Sequence, residues 1–371
     1  MEVRGCALEN MVSVTSFWRD RVVLITGHTG FKGSWLALWL QKLGAHVHGY
    51  AIDPPTQPSL FEAARVRAAM KSDARADLAD LARLRATFES VQPQVVFHLA
   101  AQPLVCESYR DPLGTFATNI IGTAHVLEAA RTAAAVQAVV LITTDKVYDN
   151  RDWPYAYRET DALGGHDPYS ASKAAAEIVA ASYRASFFAD PAPNGVRVAT
   201  ARAGNVIGGG DWAMDRLIPD CIRAFERNDV VRLRYPDAVR PWQHVLEPLA
   251  GYLLLAQRML EPQGAHFATA WNFGPDASGD ASVGELARMA AQIWGGGASV
   301  EAAASAENPH EAGLLRLDSA CARTRLGWQP RWSLYQAVDH TIAWHRAAQR
   351  GEDMADVCRR QIDSYESAQP A

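Results

Sequence analysis

From residue 22 to about residue 203, short apolar, β-branched runs alternate with longer stretches of helix formers. Val22–Thr26 runs into a glycine turn and predicts a buried parallel strand. Ser34–Leu43 predicts a helix that stops at Gly44. The pattern continues with strands at Val47–Ile52, Val95–Ala100, Ala138–Thr143 and Val196–Ala203. The intervening helices are Leu78–Ser90, Ala117–Ala135 and Ser170–Phe187. Strands alternating with helices imply a parallel sheet covered on both faces, a Rossmann-type, doubly wound α/β fold. Past residue 205 the rhythm breaks and Gly, Pro and Trp become denser, as in Gly208-Gly209-Gly210-Asp211-Trp212 and Arg240-Pro241-Trp242. This predicts a smaller mixed α/β C-terminal lobe for substrate. Residues 17–204 with about 238–262 are expected in the dinucleotide-binding part, the latter through a helix around Leu246–Leu260. Residues 205–237 with 263–350 are expected in the lobe. Residues 1–16 read as a loose extension, within which Met11 is an alternative start, and 351–371 as a polar tail.

At 371 residues the chain corresponds to roughly 2.5 domain-equivalents. Its 49% apolar and 21% charged content suits a globular protein rather than a disordered or fibrous chain. Lys and Arg number 36 against 41 Asp and Glu, a net charge of −5, so the basic footprint that nucleic acid requires is absent. No apolar run is long enough to span a bilayer, and no signal-peptide stretch opens the chain, so a cytoplasmic setting is expected. Five scattered cysteines without a CxxC pair argue against a disulfide framework or a metal site.

Gly27-His28-Thr29-Gly30-Phe31-Lys32-Gly33 places glycines at i, i+3 and i+6 between the first strand and first helix. The first glycine permits a tight turn, the second lets backbone approach a pyrophosphate, and the third lets helix pack on strand. The helix N-terminus then offers free N–H groups to the phosphates. Asp53, at the end of the second strand, is either the acidic residue that holds a ribose or a turn residue before Pro54-Pro55. No arginine follows this strand to take a 2′-phosphate, which favours NAD over NADP.

Tyr169 and Lys173 stand one helical turn apart on one face of a predicted helix. An ammonium near a phenol lowers the phenol's pKa from about 10 and makes a general base suited to an alcohol. An exposed helix pair is the alternative. Thr144 and Asp145 follow a strand's carboxyl end, where ligands bind in open α/β sheets. There Thr144 can donate to the same alcohol, and Asp145 is either a general acid or a cap. Arg202, Arg216 and Arg240 are candidates for a diphosphate, and Trp212 and Trp242 for stacking on a ring, against salt bridges and core packing.

These residues resemble the extended short-chain dehydrogenase/reductases, and within them the CDP-D-glucose 4,6-dehydratases. The resemblance runs from about Phe17 to about Tyr365. It is carried by Thr26–Trp35 (TGHTGFKGSW), Pro58–Glu62 (PSLFE), Phe97–Val105 (FHLAAQPLV), Thr144–Asn150 (TDKVYDN), Arg202–Arg216 (RAGNVIGGGDWAMDR), Arg240–Pro248 (RPWQHVLEP) and Trp271–Pro275 (WNFGP).

The resemblance implies NAD as cofactor and no metal. Gly27, Thr29, Gly30, Phe31 and Gly33 would surround the pyrophosphate. Asp77 and Leu78 would hold the adenine, and Leu99, Ala100, Ala101 and Gln102 would pass under the cofactor, with Thr118 nearby. Thr144 and Tyr169 would grip the sugar 4-hydroxyl, with Lys173 on the nicotinamide ribose. Lys32, Asn205, Arg216, Arg240, His310 and Glu311 would contact the nucleotide sugar. The implied reaction turns CDP-D-glucose into CDP-4-dehydro-6-deoxy-D-glucose and water by internal hydride transfer, early in deoxysugar (O-antigen or lipopolysaccharide-type) biosynthesis. Related dTDP-sugar dehydratases carry Asp-Glu where this chain and the subgroup it resembles have Asp145-Lys146. The resemblance implies that Lys146 belongs to the catalytic set. A lysine is a base only if its pKa falls well below about 10.4, and the group that removes the carbon-5 proton stays open. A homodimer or homotetramer is expected, without membrane or nucleic-acid partners. A 4-epimerase on the same fold, and a non-catalytic dinucleotide sensor, are the rival readings.

Overall fold

The computed structural model describes residues 16–189, 195–275, 279–302 and 313–370. Seven parallel strands form the central sheet: β1 (Val22–Thr26), β2 (His46–Ala51), β3 (Ser72–Arg75), β4 (Val95–His98), β5 (Ala138–Ile142), β6 (Arg197–Ala203) and, from much later in the chain, β10 (Ala270–Phe273). Their order is β10-β6-β5-β4-β1-β2-β3, and every neighbouring pair is parallel. The order reverses between β1 and β4, the place where a doubly wound sheet opens a crevice beyond its strand ends. The expected Rossmann architecture is therefore what this chain adopts.

Helices cover both faces because the strands are apolar on both; all five residues of β5 are buried. On one face α1 (Phe31–Lys42) and the helix Leu246–Leu260 pack a core around Trp35, Trp39, Leu249 and Trp271. On the other lie α2 (Leu81–Val91), α3 (Gly122–Thr132) and α4 (Pro168–Phe187), over Leu24, Val96, Val139 and Leu141. The helix at Leu246–Leu260 has the bounds its apolar run predicts.

A second core gathers beside the sheet's carboxyl ends. It joins α5 (Leu217–Glu226), β9 (Val239–His244), α7 (Val283–Trp294) and α8 (Leu334–Gln349) through Ile222, Phe225, Trp242, Leu286 and Ile342. A three-stranded sheet, β11 (Asp280–Ser282), β9 and β7 (Asn205–Ile207), ties this core to the end of β6. Two short strands, β8 (Val231–Leu233) and β12 (Val300–Ala302), close it.

Three expectations change. Ala270–Phe273, assigned to the lobe, is the edge strand of the main sheet, because its Trp271 and Phe273 are wholly buried against the Leu246–Leu260 helix, which is α6 here. The polar tail contains α9 (Met354–Ser367), whose Val357, Cys358, Ile362 and Tyr365 form one apolar stripe on α1. Trp39 meets Tyr365 edge-on at 5.6 Å, and Lys42 pairs with Asp363 at 3.0 Å. The long helix expected over Ala117–Ala135 is α3 preceded by a π-helical turn at Ala117–Ile121. Residues 1–15 of the expected extension lie outside the described residues.

Candidate active site

The glycine turn follows β1. Gly27 has φ +76°, and a Cβ there would lie 2.5 Å from the Ala100 nitrogen. Gly33 would place a Cβ 2.1 Å from the Gly27 carbonyl oxygen, so helix and turn close on one another. Gly30 differs: a Cβ would meet only the Gly27 oxygen, at 3.4 Å, leaving this face of the turn open. Two closed glycines and one open one, at the start of a helix, fit a pyrophosphate approaching backbone N–H groups.

The strand before the turn is anchored at its end. Thr26 Oγ1 lies 2.7 Å from His98 Nδ1, and His98 Nε2 lies 3.2 Å from Thr123 Oγ1. Burial pushes the His98 imidazole down to about 3, so it stays neutral while bridging β1, β4 and α3. Leu99, Ala100, Ala101 and Gln102 then run half-buried past the turn. Asn119, in the π-helical turn, accepts from the Gln102 N–H at 2.9 Å and donates to Ser172 Oγ at 2.8 Å. It locks this segment to α4, one residue from Lys173. Its neighbour Thr118 is half-buried. Asn119 was not among the expected residues; an amide followed by Ile120-Ile121 in a helical run was the available signal.

Thr144, Asp145, Tyr169 and Lys173 are all buried, and the structure brings them together beyond β5. Thr144 caps a one-turn 3₁₀ helix at Asp145–Val147 and donates to Asp145 Oδ1 at 2.9 Å. Asp145 Oδ2 is buried without a hydrogen-bond partner among the described residues. Asp167 caps α4 and fixes the first turn that carries Tyr169. Lys173 donates to the Ile142 carbonyl at 3.1 Å. Burial lowers Lys173 to about 8, against the opposing pull of Glu177.

The Tyr169 phenol departs from expectation: it is pushed up to about 12, not down. Burial is the main cause, and the Thr144 hydrogen bond opposes it. The shared helix face is real, but the lysine's hydrogen bond goes to the β5 end and its strongest charge partner is Glu177 rather than the phenol. Tyr252, from α6, adds a second buried hydroxyl beside Tyr169, itself without a partner among the described residues.

Two more cations complete the cluster. Arg216 caps α5 by position and pairs with Asp211 at 2.8 Å. Lys32, in the first turn of α1, lies among Arg216, Lys173, Asp145 and Asp211. Burial and the two neighbouring cations bring it down to about 7. Helix α1 is held against the Gly208–Gly210 loop by the Trp35 indole, which donates to the Gly209 carbonyl at 2.9 Å. Phe31 lies against Gly208, where a Cβ would sit 3.0 Å from its ring.

Other expected residues take different places. Thr29 is buried and donates to the Ile52 carbonyl at 3.0 Å, bracing the turn from behind. Asp53 is 90% exposed and pairs with Arg75 from β3 at 3.3 Å. Arg75 is itself held by Asp73 at 2.7 Å. Asp77 accepts from the Ala79 N–H, and Leu78 is buried beyond the end of β3. Asn205 is half-buried in β7, and Arg240 is buried in β9, in the same small sheet. The Arg240 guanidinium donates to the Val239 carbonyl at 2.8 Å. Arg202 is no diphosphate ligand, because its guanidinium is enclosed by Glu177 and the Tyr148 hydroxyl. Trp242 is core, its indole donating to the Ala281 carbonyl, and Trp212 packs on Trp344. His310 and Glu311 lie outside the described residues. No cluster fit to hold a metal occurs among the described residues.

A glycine-turn dinucleotide fold with a Thr–Tyr–Lys centre at its crevice defines an extended short-chain dehydrogenase/reductase. Within that class the chain belongs to the GDP-mannose 4,6 dehydratase family, whose profile matches residues 24–341. It is 50% identical over 356 residues to a CDP-glucose 4,6-dehydratase of Salmonella typhimurium, covering 95% of this chain and 98% of the relative. Two solved structures share the fold. A dTDP-glucose 4,6-dehydratase of Streptomyces venezuelae with NAD bound superposes with a TM-score of 0.74 at 23% identity, over 90% of this chain and 99% of that one. A UDP-glucose 4-epimerase of Stenotrophomonas maltophila, also with NAD, gives 0.76 at 24% identity, over 89% and 99%.

Proposed function

We propose that this chain is an NAD-dependent lyase that converts CDP-D-glucose into CDP-4-dehydro-6-deoxy-D-glucose and water. The observation that carries this reading is the convergence of Thr144, Asp145, Tyr169 and Lys173 at the β5 end, in a chain half identical to a CDP-glucose dehydratase. The glycine turn, Leu99–Gln102 and Lys173 would hold NAD, and the open Gly30 face fits its pyrophosphate. When bound, NAD supplies reversible hydride acceptance.

The residues of the chain do the rest. Tyr169 takes the proton of the sugar 4-hydroxyl while Thr144 bonds the same oxygen. The carbon-4 ketone acidifies the proton on carbon 5. Asp145, as a carboxylic acid with one oxygen held by Thr144 and the other unspent, protonates the departing 6-hydroxyl and is left as the carboxylate. Arg216, Arg240 and Asn205 receive the diphosphate, for which the arginine fork is suited. We place the pairing of two copies on the outer helical layer, where Leu113, Ile121, Ile178 and Phe187 are exposed. Among the described residues no helix is long and apolar enough to cross a membrane.

The test is direct. Incubation with CDP-glucose and NAD yields a product lighter by one water, with the ultraviolet absorbance of a keto-sugar in alkali. A product of unchanged mass, inverted at carbon 4, establishes the epimerase instead.

A further inference from the structure

No arginine follows β2 in the sequence, but the sheet brings one to its end from β3. Ala51 and Arg75 are partners in the parallel register, so Arg75 stands level with the last residue of β2. The Thr29 hydroxyl, in the glycine turn, donates to the Ile52 carbonyl at 3.0 Å and fixes the turn against the same strand end. Arg75 Nη1 lies 3.3 Å from Asp53 Oδ1. One carboxylate and one guanidinium therefore meet at the end of β2, where the adenosine ribose of a dinucleotide is held in this fold.

The two partners are held very differently. Asp53 is 90% exposed, and its carboxylate pairs with Arg75 alone among the described residues. Arg75 is built in. Its Nε and Nη2 form a fork on Asp73 at 2.7 and 3.0 Å, and its guanidinium lies over the Phe61 ring, 4.8 Å from the centroid. Asp73 is nearly buried and lies 2.8 Å from His28 Nε2. The His28 ring in turn fills the space a side chain at Gly49 would need, since a Cβ there would sit 2.5 Å from it. With the Nε edge committed to Asp73, Nη1 can exchange Asp53 for another anion while the rest of the side chain stays in place. An exposed ion pair by itself contributes little. The fork and the ring beneath it are what make Arg75 a fixed ligand.

We propose that Arg75 is the specificity-determining residue for the 2′-position of the adenosine ribose, with Asp53 as its guard. It rests on the dinucleotide reading of the glycine turn and not on the elimination chemistry. The charged Asp53 accepts from a ribose hydroxyl and from Nη1, and repels a 2′-phosphate. With that carboxylate neutralised, Nη1 is left to a 2′-phosphate, whose oxygens suit a guanidinium. One exposed carboxylate thus selects NAD, while the cation that would take NADP is already in position.

Titration calorimetry of the full-length protein with NAD and with NADP reads this without turnover. The wild type should bind NADP about 10-fold or more weakly than NAD. Asp53→Asn should bind NADP about 10–10²-fold more tightly than the wild type does, the range for hydrogen bonds to a charged group. Adding Arg75→Met to Asp53→Asn should abolish that gain. Equal wild-type affinities for the two dinucleotides, no gain in Asp53→Asn, or a gain that persists in the double variant each overturn the proposal. Should the double variant fail to fold, phenylglyoxal labelling of Asp53→Asn decides. Shielding of the Arg75 peptide by NADP beyond that by NAD supports the contact, and equal shielding overturns it. A wild-type protein that binds neither dinucleotide removes the cofactor site itself, whereas failure to release water from CDP-glucose removes only the dehydratase reading.

Discussion

Arg202 and Glu177 form a forked ion pair wholly inside the protein, with Nε to Oε1 at 2.9 Å and Nη2 to Oε2 at 3.0 Å. The Thr143 and Thr200 hydroxyls each donate to the same carboxylate at 2.6 Å. One carboxylate therefore ties β5, β6 and α4 together just behind the residues that do chemistry. Arg202 then hands the linkage on, donating to the Tyr148 hydroxyl, which donates to Asn272 Oδ1 on β10 at 2.7 Å.

We expect Glu177→Ala to lose about 3–5 kcal/mol, because it leaves a buried guanidinium unpaired. Denaturant unfolding measures this. Acid should act in the same direction. The Arg202 pair and hydroxyl donors hold the Glu177 carboxyl below its ordinary 4.5, so its contribution is complete above that pH and is lost as pH falls through the depressed value. Glu177 also supplies the charge that favours the Lys173 ammonium. Glu177→Gln should accordingly lower the apparent Lys173 pKa as well as the melting temperature.

Tyr169→Phe should abolish turnover, by about 10²–10⁴-fold in kcat, while calorimetry finds CDP binding largely intact. Thr144→Val is the finer probe. Its hydroxyl draws the phenol back down from the value burial imposes, so its loss raises the phenol further. Because the phenol titrates well above the assay range in both forms, the rate should then fall by the same factor at pH 7 and at pH 9. A raised KM with kcat unchanged would confine Thr144 to holding substrate.

What the sequence disclosed and what it hid separate along physical lines. The strands from Val22–Thr26 to Arg197–Ala203 and the helix Leu246–Leu260 stood out because their apolar runs are long and unambiguous. Ser72–Arg75 went unseen because it is a polar edge strand, half-buried throughout. Ala270–Phe273 was placed in the wrong layer because nothing local says that a strand far downstream returns to β6. At the site, spacing put Tyr169 and Lys173 on one face but could not say where the ammonium points. Its bond to the Ile142 carbonyl emerges only when β5 and α4 are packed. Lys32 reads in sequence as a residue of a phosphate turn, and its cationic neighbours come from segments more than a hundred residues away.

If two copies pair through the outer helical layer, a charge there should separate them. Ile178 is 59% exposed on α4 and Leu113 is 78% exposed near its start. We expect Ile178→Glu with Leu113→Glu to halve the mass found by light scattering and to leave the monomer folded, since neither side chain belongs to a core. An unchanged mass would place the contact elsewhere.

The C-terminal helix α9 is fastened through a carboxylate that ought not to be charged. Glu247, in the first turn of α6, accepts from the Tyr365 hydroxyl at 2.7 Å and from the Trp332 and Arg331 N–H groups at 2.8 and 3.0 Å. Burial outweighs these donors and lifts it from 4.5 to about 7. A carboxyl raised on folding stabilises the folded state fully below its unfolded value, and that contribution is lost as pH rises through the folded one. Stability should thus decline between about pH 4.5 and pH 7 by an amount on the order of 3 kcal/mol from this group alone. Glu247→Gln keeps an acceptor for the tyrosine and removes the titration, so its denaturant midpoint should be flatter across the same window. An equal change of midpoint from pH 5 to pH 8 in Glu247→Gln and in the parent would show that groups other than Glu247 govern this window.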